Sequence, residues 1–261
     1  MYVMTIDQRG STSDVDRVPG LLAELSALSS AGRFERSVGD EVQGVLERPA
    51  DVVEIALHAL RGDRWYVGIG VGAVDLPLPA SPREGSGPAF VAARLAVDRA
   101  KASAARVPLA VVPGGARRGQ TPPSSEASTG GDGAGGTGTG AGADAGAGAG
   151  TGGDGARACA NAEAVLRLIG RLVQDRTDAQ WKVADMLRSV QHGQSSTHGT
   201  QKIAARKLGI TEQSVSRALL RSGWQEEWAA RPAAEMLLSL AHGLIAGTDR
   251  PGADSNAEGD R

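Results

Sequence analysis

The sequence predicts an α+β protein with an all-helical part behind it, and three observations carry that prediction. Over residues 1–112, short apolar runs rich in strand formers alternate with stripes at helical spacing, in the order strand, helix, hairpin, helix, strand, helix, strand. Residues 113–157 are almost wholly Gly, Ala, Thr, Ser, Asp and Pro, too poor in apolar groups to offset the entropy of ordering. Residues 158–247 carry helical stripes only. The expected division is an α+β unit at 1–112, a disordered linker at 113–157 that lets two units reorient, a helical unit at 158–247 and a disordered tail at 248–261.

Each element has its own signal. Tyr2 to Ile6 is an apolar run that stops at Asp7, and Gln8 to Thr12 reads as a loop. Val18, Leu21, Leu22, Leu25 and Leu28 mark a helix; Phe34 to Val38 and Val42 to Leu46 are hairpin strands around Gly39-Asp40. Pro49 opens a second helix with Val52, Val53, Ala56, Leu57 and Leu60 inward. Trp65 to Val74 is a strand whose alternating glycines point to close backbone approach. Phe90 to Ala105 is an Ala-rich helix and Leu109 to Val112 a last strand. The most economical arrangement is one antiparallel sheet with helices against one face, as in ferredoxin-like domains.

The helical part begins with a stripe over Ala162 to Gln174, then a helix capped at Thr177 or Asp178 with Trp181, Val183, Ala184, Leu187 and Val190 inward. Thr200 to Ser222, TQKIAARKLGITEQSVSRALLRS, is the most informative stretch. Ile203, Ala204 and Leu208 face one way, Ala205 is small where a second helix must cross, and Gly209 supplies the turn. Thr211 caps the following helix, and Val215, Ala218 and Leu219 return to the shared core. This is the pattern of a helix-turn-helix, although short helical hairpins also occur in proteins that never touch DNA. Trp224 and Trp228 close its core, and the stripe Leu237, Leu240, Ala241, Leu244 and Ile245 needs a partner, either its own domain or a second copy of the chain.

With 261 residues and a net charge of −2, overall balance selects no partner, but charge is unevenly spread. From Ala158 to Arg231 eleven basic residues face seven acidic ones, an excess that suits phosphate contact. Gln213 and Arg217 have the groups for bidentate base contacts, with Thr211, Ser214 and Ser216 beside them. Lys202, Arg206, Lys207 and Arg221 are the expected phosphate contacts. The one cysteine, Cys159, has no intrachain partner, and no long apolar run is present. A cytoplasmic protein that spans no membrane is expected.

In the first half, Asp7 at a strand end and Asp40 at the hairpin turn converge if those strands are neighbours. Two carboxylates there would suit Mg²⁺ with a nucleotide or other phosphorylated ligand, and Arg9, Arg36 and Arg94 would neutralise its oxygens. The same acids also cap turns and strand ends, so the spacing leaves both readings open.

YVMTIDQRGST, SVGDEVQGVL, WYVGIGVGAV and GSGPAFVAARLA, in that order and followed by the helix-turn-helix, resemble the SatD family of bacterial proteins. The first four blocks also look like a trimmed class III nucleotide cyclase palm. That resemblance implies that Asp7 and Asp40 match two metal-binding acids and Arg94 an Arg that steadies the transferred phosphate. Phe90 stands where the cyclases place a ribose-orienting Asn and Arg36 where they place a base-selecting Lys, departures that argue against turnover. The function expected is a DNA-binding transcriptional regulator acting as a homodimer, with a palm-like domain that senses a nucleotide or other ligand. The alternative is a metal-dependent nucleotide-binding or cyclase-like enzyme targeted by its helical part.

Overall fold

Strand β1 (Tyr2–Gln8) is buried along all seven residues, and a strand with no exposed face needs cover on both sides. In the computed structural model, which describes residues 1–28, 33–103, 105–115, 151–192 and 199–248, it has that cover. It is the middle of a five-stranded sheet with β2 (Phe34–Arg36), β3 (Glu41–Leu46), β4 (Trp65–Val71) and β5 (Leu109–Pro113) in the order β2-β3-β1-β4-β5. β1 runs antiparallel to β3 and β4, and β2 antiparallel to β3. The expected all-antiparallel sheet is corrected at its last strand. Helix α3 (Pro88–Ala102) carries the chain back along the sheet, so β5 lies parallel to β4.

Helices also lie on both faces rather than one, because side chains of β1 alternate. Tyr2, Met4 and Ile6 enter the main core with α1 (Val18–Ala27), α2 (Pro49–Leu60), α4 (Thr151–Gln174) and α8 (Trp224–Thr248). Val3 points the other way, into Ala89, Phe90 and Ala93 of α3. The glycines of β4 let α3 come close: a Cβ on Gly68 would lie 2.4 Å from Val97 N, and one on Gly70 2.1 Å from Ala89 O. Cys159 is 1% exposed in the main core, and burial pushes its thiol up to about 12.

The helical half differs most from expectation. α4 begins at Thr151, inside the stretch assigned to the linker, and it packs with α8 on the sheet in one shared core. The rest of that linker, residues 116–150, and the tail from 249 lie outside the described residues. Only α5 (Asp178–His192), α6 (Thr200–Leu208), α7 (Glu212–Arg221) and Trp224 form a second, smaller core, around Val183, Leu187, Ala204, Val215 and Leu219. In α8 the buried positions are Trp224, Glu227, Arg231, Ala234, Leu238, Ala241 and Ile245, a regular three-four spacing. The expected inner position Leu240 is 51% exposed. The helix starts already at Trp224 and runs on through Pro232, so its upstream turn sets the register. Among the described residues no helix is long and apolar enough to cross a membrane.

Candidate nucleic-acid interface

The α6–α7 pair is built from its turn outward. α6 stops because Gly209 takes a left-handed conformation (φ 67°), and its N–H bonds Arg206 O at 3.3 Å while Ile210 N–H bonds Ala205 O at 3.1 Å. These two bonds satisfy carbonyls that the helix end would leave open, the Schellman pattern. Two residues later Thr211 Oγ1 accepts the Ser214 N–H at 3.1 Å and caps α7. Glu212 in the first turn adds a favourable charge to the helix dipole. Val215 and Leu219 are buried against α5 and α6, which fixes the opposite face of α7 outward.

On that outer surface Thr211, Gln213, Ser216, Arg217 and Arg221 are exposed, and Ser214 is half-buried. Lys202, Arg206 and Lys207 of α6 are exposed beside them. Arg217 lies back along its own helix, with Nε 3.4 Å from Gln213 O. None of the five cations is ion-paired among the described residues, and the one acid between Gly199 and Ser222 is Glu212. The rest of the chain treats arginine differently. Arg17 pairs with Asp14, Arg48 with Asp51, Arg61 with Asp185, Arg99 with Glu163 and Arg106 with Asp175. Among the described residues, cations without an ion pair are therefore densest on this surface, with Arg83 and Lys182 elsewhere. Leu220, 71% exposed on α7, belongs to the same surface and went unremarked in the sequence because apolar residues there read as core.

A buried ionic chain holds this unit to the sheet. Arg176, with a side chain 1% exposed, donates to Ser222 O at 2.9 Å and stands 2.6 Å from Glu227 Oε2. The geometry of that second contact leaves both Nη atoms and Oε2 without an aligned hydrogen bond. Its guanidinium lies 4.8 Å from the Trp181 ring centre and 5.7 Å from that of Trp224. Glu227 also takes Arg231 at 3.0 and 2.6 Å, and Arg231 reaches Glu54 of α2 at 2.5 Å, where Arg188 of α5 joins. Burial pushes the Glu54 carboxyl up, but Arg231 and Arg188 outweigh it and hold the group below the usual range. Arg61 adds a bidentate pair to Asp185 at 2.9 and 2.6 Å and stacks 3.9 Å over Trp181. Of this chain only Glu227 and Arg231, four apart on a helix, had a local signal.

The second group of expected residues is only partly assembled. Asp7 stands opposite Glu41 in the β1–β3 ladder, and Gln8 N–H bonds Asp40 O at 3.3 Å, so both acids do meet at one sheet end. Lys101 of α3, however, places its ammonium 2.7 Å from Asp7 Oδ2. Burial raises the Asp7 carboxyl, and Lys101 works against that rise. No group of three metal-ligating side chains exists among the described residues. With a lysine on one ligand oxygen, this donor set does not fit Mg²⁺. Two of the three arginines stay near this end, Arg94 3.7 Å from Glu41 and Arg36 donating to Gly39 O at 2.8 Å, while Arg36 also pairs with Asp16 at 2.5 Å and Arg9 turns to Asp63. Phe90 is 8% exposed, its ring packed over Gly85. Lys101 was hidden in the sequence because a lysine near the end of an Ala-rich helix reads as solvated surface.

No family model, curated protein or solved structure matches the chain.

Proposed function

We propose that the chain is a DNA-binding regulator of the SatD kind, whose α6–α7 pair is a helix-turn-helix and whose sheet is a palm-like ligand-sensing unit. α7 enters a major groove and α6 crosses the backbone. The observation that carries the reading is the set of five cations, Lys202, Arg206, Lys207, Arg217 and Arg221, on one exposed surface, without ion pairs among the described residues, most of whose arginines are paired. Gln213 and Arg217 read base edges, with Ser214 and Ser216 as shorter donors, and Leu220 offers an apolar contact to a thymine methyl. The remaining four cations hold phosphates, which predicts a salt slope of roughly −3.6 per protomer at about −0.9 per contact. The strand order β2-β3-β1-β4, with helices between β1 and β2 and between β3 and β4, supports the palm-like reading of the sheet. Nucleotide transfer forms no part of the proposal, because Lys101 engages Asp7 and an apolar ring stands at Phe90.

The test is enrichment of fragments from genomic DNA by the purified chain, followed by anisotropy titration on an enriched and a random duplex. Arg217→Ala should cost about 1–3 kcal/mol on the enriched duplex, roughly 5- to 150-fold, and far less on the random one. Equal losses on both would refute the assignment of Arg217, and a flat titration at low salt would refute DNA binding.

A further inference from the structure

A hollow of about 220 Å³ opens beside the small apolar cluster of Val3, Phe90 and Val45 on the α3 side of the sheet. Val45 and Phe90 line its inside together with Leu78, Pro79 and Pro82 of the connection between β4 and α3. That wall is set before any ligand arrives. Pro79 and Pro82 fix their own φ, Ser81 Oγ donates to Glu35 Oε2 at 2.5 Å, and Arg33 donates to the Ala80 carbonyl, which ties the connection to the β2 edge. The Phe90 ring is 8% exposed and packs over Gly85. Two charged groups complete the lining, Arg33 and Glu47. The β2–β3 register, extended by one residue from Phe34 and Gly44, sets Arg33 opposite Val45, and Glu47 follows Val45 by two residues on the same face. Such diagonal neighbours stand roughly 7–8 Å apart, with the apolar wall beside both. Arg33 stands 3.7 Å from Glu35, with its own side chain 67% exposed. Glu47 has no ion pair among the described residues, and its charge reaches the Met1 amine without pairing with it.

We propose that this hollow binds a free α-amino acid with an apolar side chain of leucine to phenylalanine size. The proposal deepens the ligand-sensing reading above by naming the class of ligand. Size is the first argument. A cavity of about 150 Å³ takes benzene, so one of about 220 Å³ takes a single ring or branched chain with an amino-acid backbone and is too small for a nucleotide. Charge is the second. Glu47 works against a phosphate or a simple carboxylic acid, and Arg33 works against a simple amine. One group of each sign suits a zwitterion, with the carboxylate on Arg33 and the ammonium on Glu47. A peptide terminus brings only one of those charges. The inside is the third: it offers no polar side chain to a nucleobase edge or a sugar hydroxyl, whereas an aliphatic or aromatic side chain leaves water there without stranding a polar group.

Isothermal titration of the full chain with L-leucine and L-phenylalanine tests it. At least one should bind with a Kd of roughly 10 µM to 1 mM, the range open to about nine to twelve heavy atoms. The amide of the binder lacks the carboxylate and its N-acetyl derivative lacks the ammonium, so each should bind about 10-fold more weakly or worse. Arg33→Gln and Glu47→Gln, both at exposed positions, should each weaken binding about 5- to 10-fold. Leu78→Glu should abolish it with the circular dichroism unchanged. Leu76→Glu, 74% exposed in the same connection but outside the lining, should leave it intact. A chain that takes up neither amino acid at about 10 mM overturns the proposal. So do derivatives that bind as well as their parent, a Kd unmoved by both Arg33→Gln and Glu47→Gln, or a loss on Leu76→Glu. Uptake of an amino acid by a chain that ignores every duplex would sink the DNA reading and leave this one standing.

Discussion

Replacing Glu227 by Gln isolates the energetics of the buried ionic chain. The amide keeps the shape of the side chain and removes its charge. Arg231 loses one partner but keeps Glu54 at 2.5 Å. Arg176 keeps only the Ser222 carbonyl and the faces of Trp181 and Trp224, with a side chain 1% exposed. Removing one member of a buried pair costs about 3–5 kcal/mol, because the other charge is stranded. Two aromatic faces return about 1 kcal/mol of that, so the net loss should be about 2–4 kcal/mol, a large share of a typical domain's stability. Equilibrium unfolding in urea at neutral pH measures it. The double variant with Arg176→Met removes the stranded charge and should recover most of the loss, standing above the Glu227→Gln single. A single variant within about 0.5 kcal/mol of wild type, or a double that shows the sum of both single losses, would refute this account of the site.

Two further outcomes follow from other contacts. Gly70→Ala sets a Cβ 2.1 Å from Ala89 O and 2.4 Å from Ala93 N, both backbone atoms, so α3 must shift; the loss should reach about 3 kcal/mol, and an unchanged urea midpoint would contradict that close approach. Glu54 has a folded pKa below its ordinary 4.5, so its contribution is present above that value and is lost as pH falls through the folded pKa. The stability gap between wild type and Glu54→Gln should therefore be widest near neutrality and shrink as pH falls below 4.5, and a gap constant from neutrality into that acid range would count against the Arg231 and Arg188 contacts.

Local chemistry made some elements legible and tertiary packing hid others. Gly209 and Thr211 stand where the turn and cap of α6–α7 require them, and β4's glycines meet the backbone of α3 as their alternation predicts. The start of α4 was invisible because Thr151-Gly152-Gly153-Asp154-Gly155 has the composition of a linker. Its helix forms through packing: a Cβ on Gly155 would stand 2.9 Å from Ile245, so glycine there serves close approach rather than freedom. The same mechanism moved the register of α8. Apolar residues occur on more than one of its faces, and only the buried Glu227 and Arg231 upstream decide which face turns inward. Lys101 on Asp7 was the third surprise, since a contact between residues so far apart in the chain leaves no periodic trace.

β5 and the middle of α4 touch, although the chain between them includes residues 116–150, which lie outside the described residues. Glu163 accepts the Val111 N–H at 2.8 Å, and Arg167 donates to the Leu109 carbonyl at 2.9 Å. The placement of the α5–α7 unit against α2 and α8 is therefore set by the clamps at Asp185 and Glu227. Trimming residues 116–150 should thus leave the stability loss of Glu227→Gln as it is in the full chain.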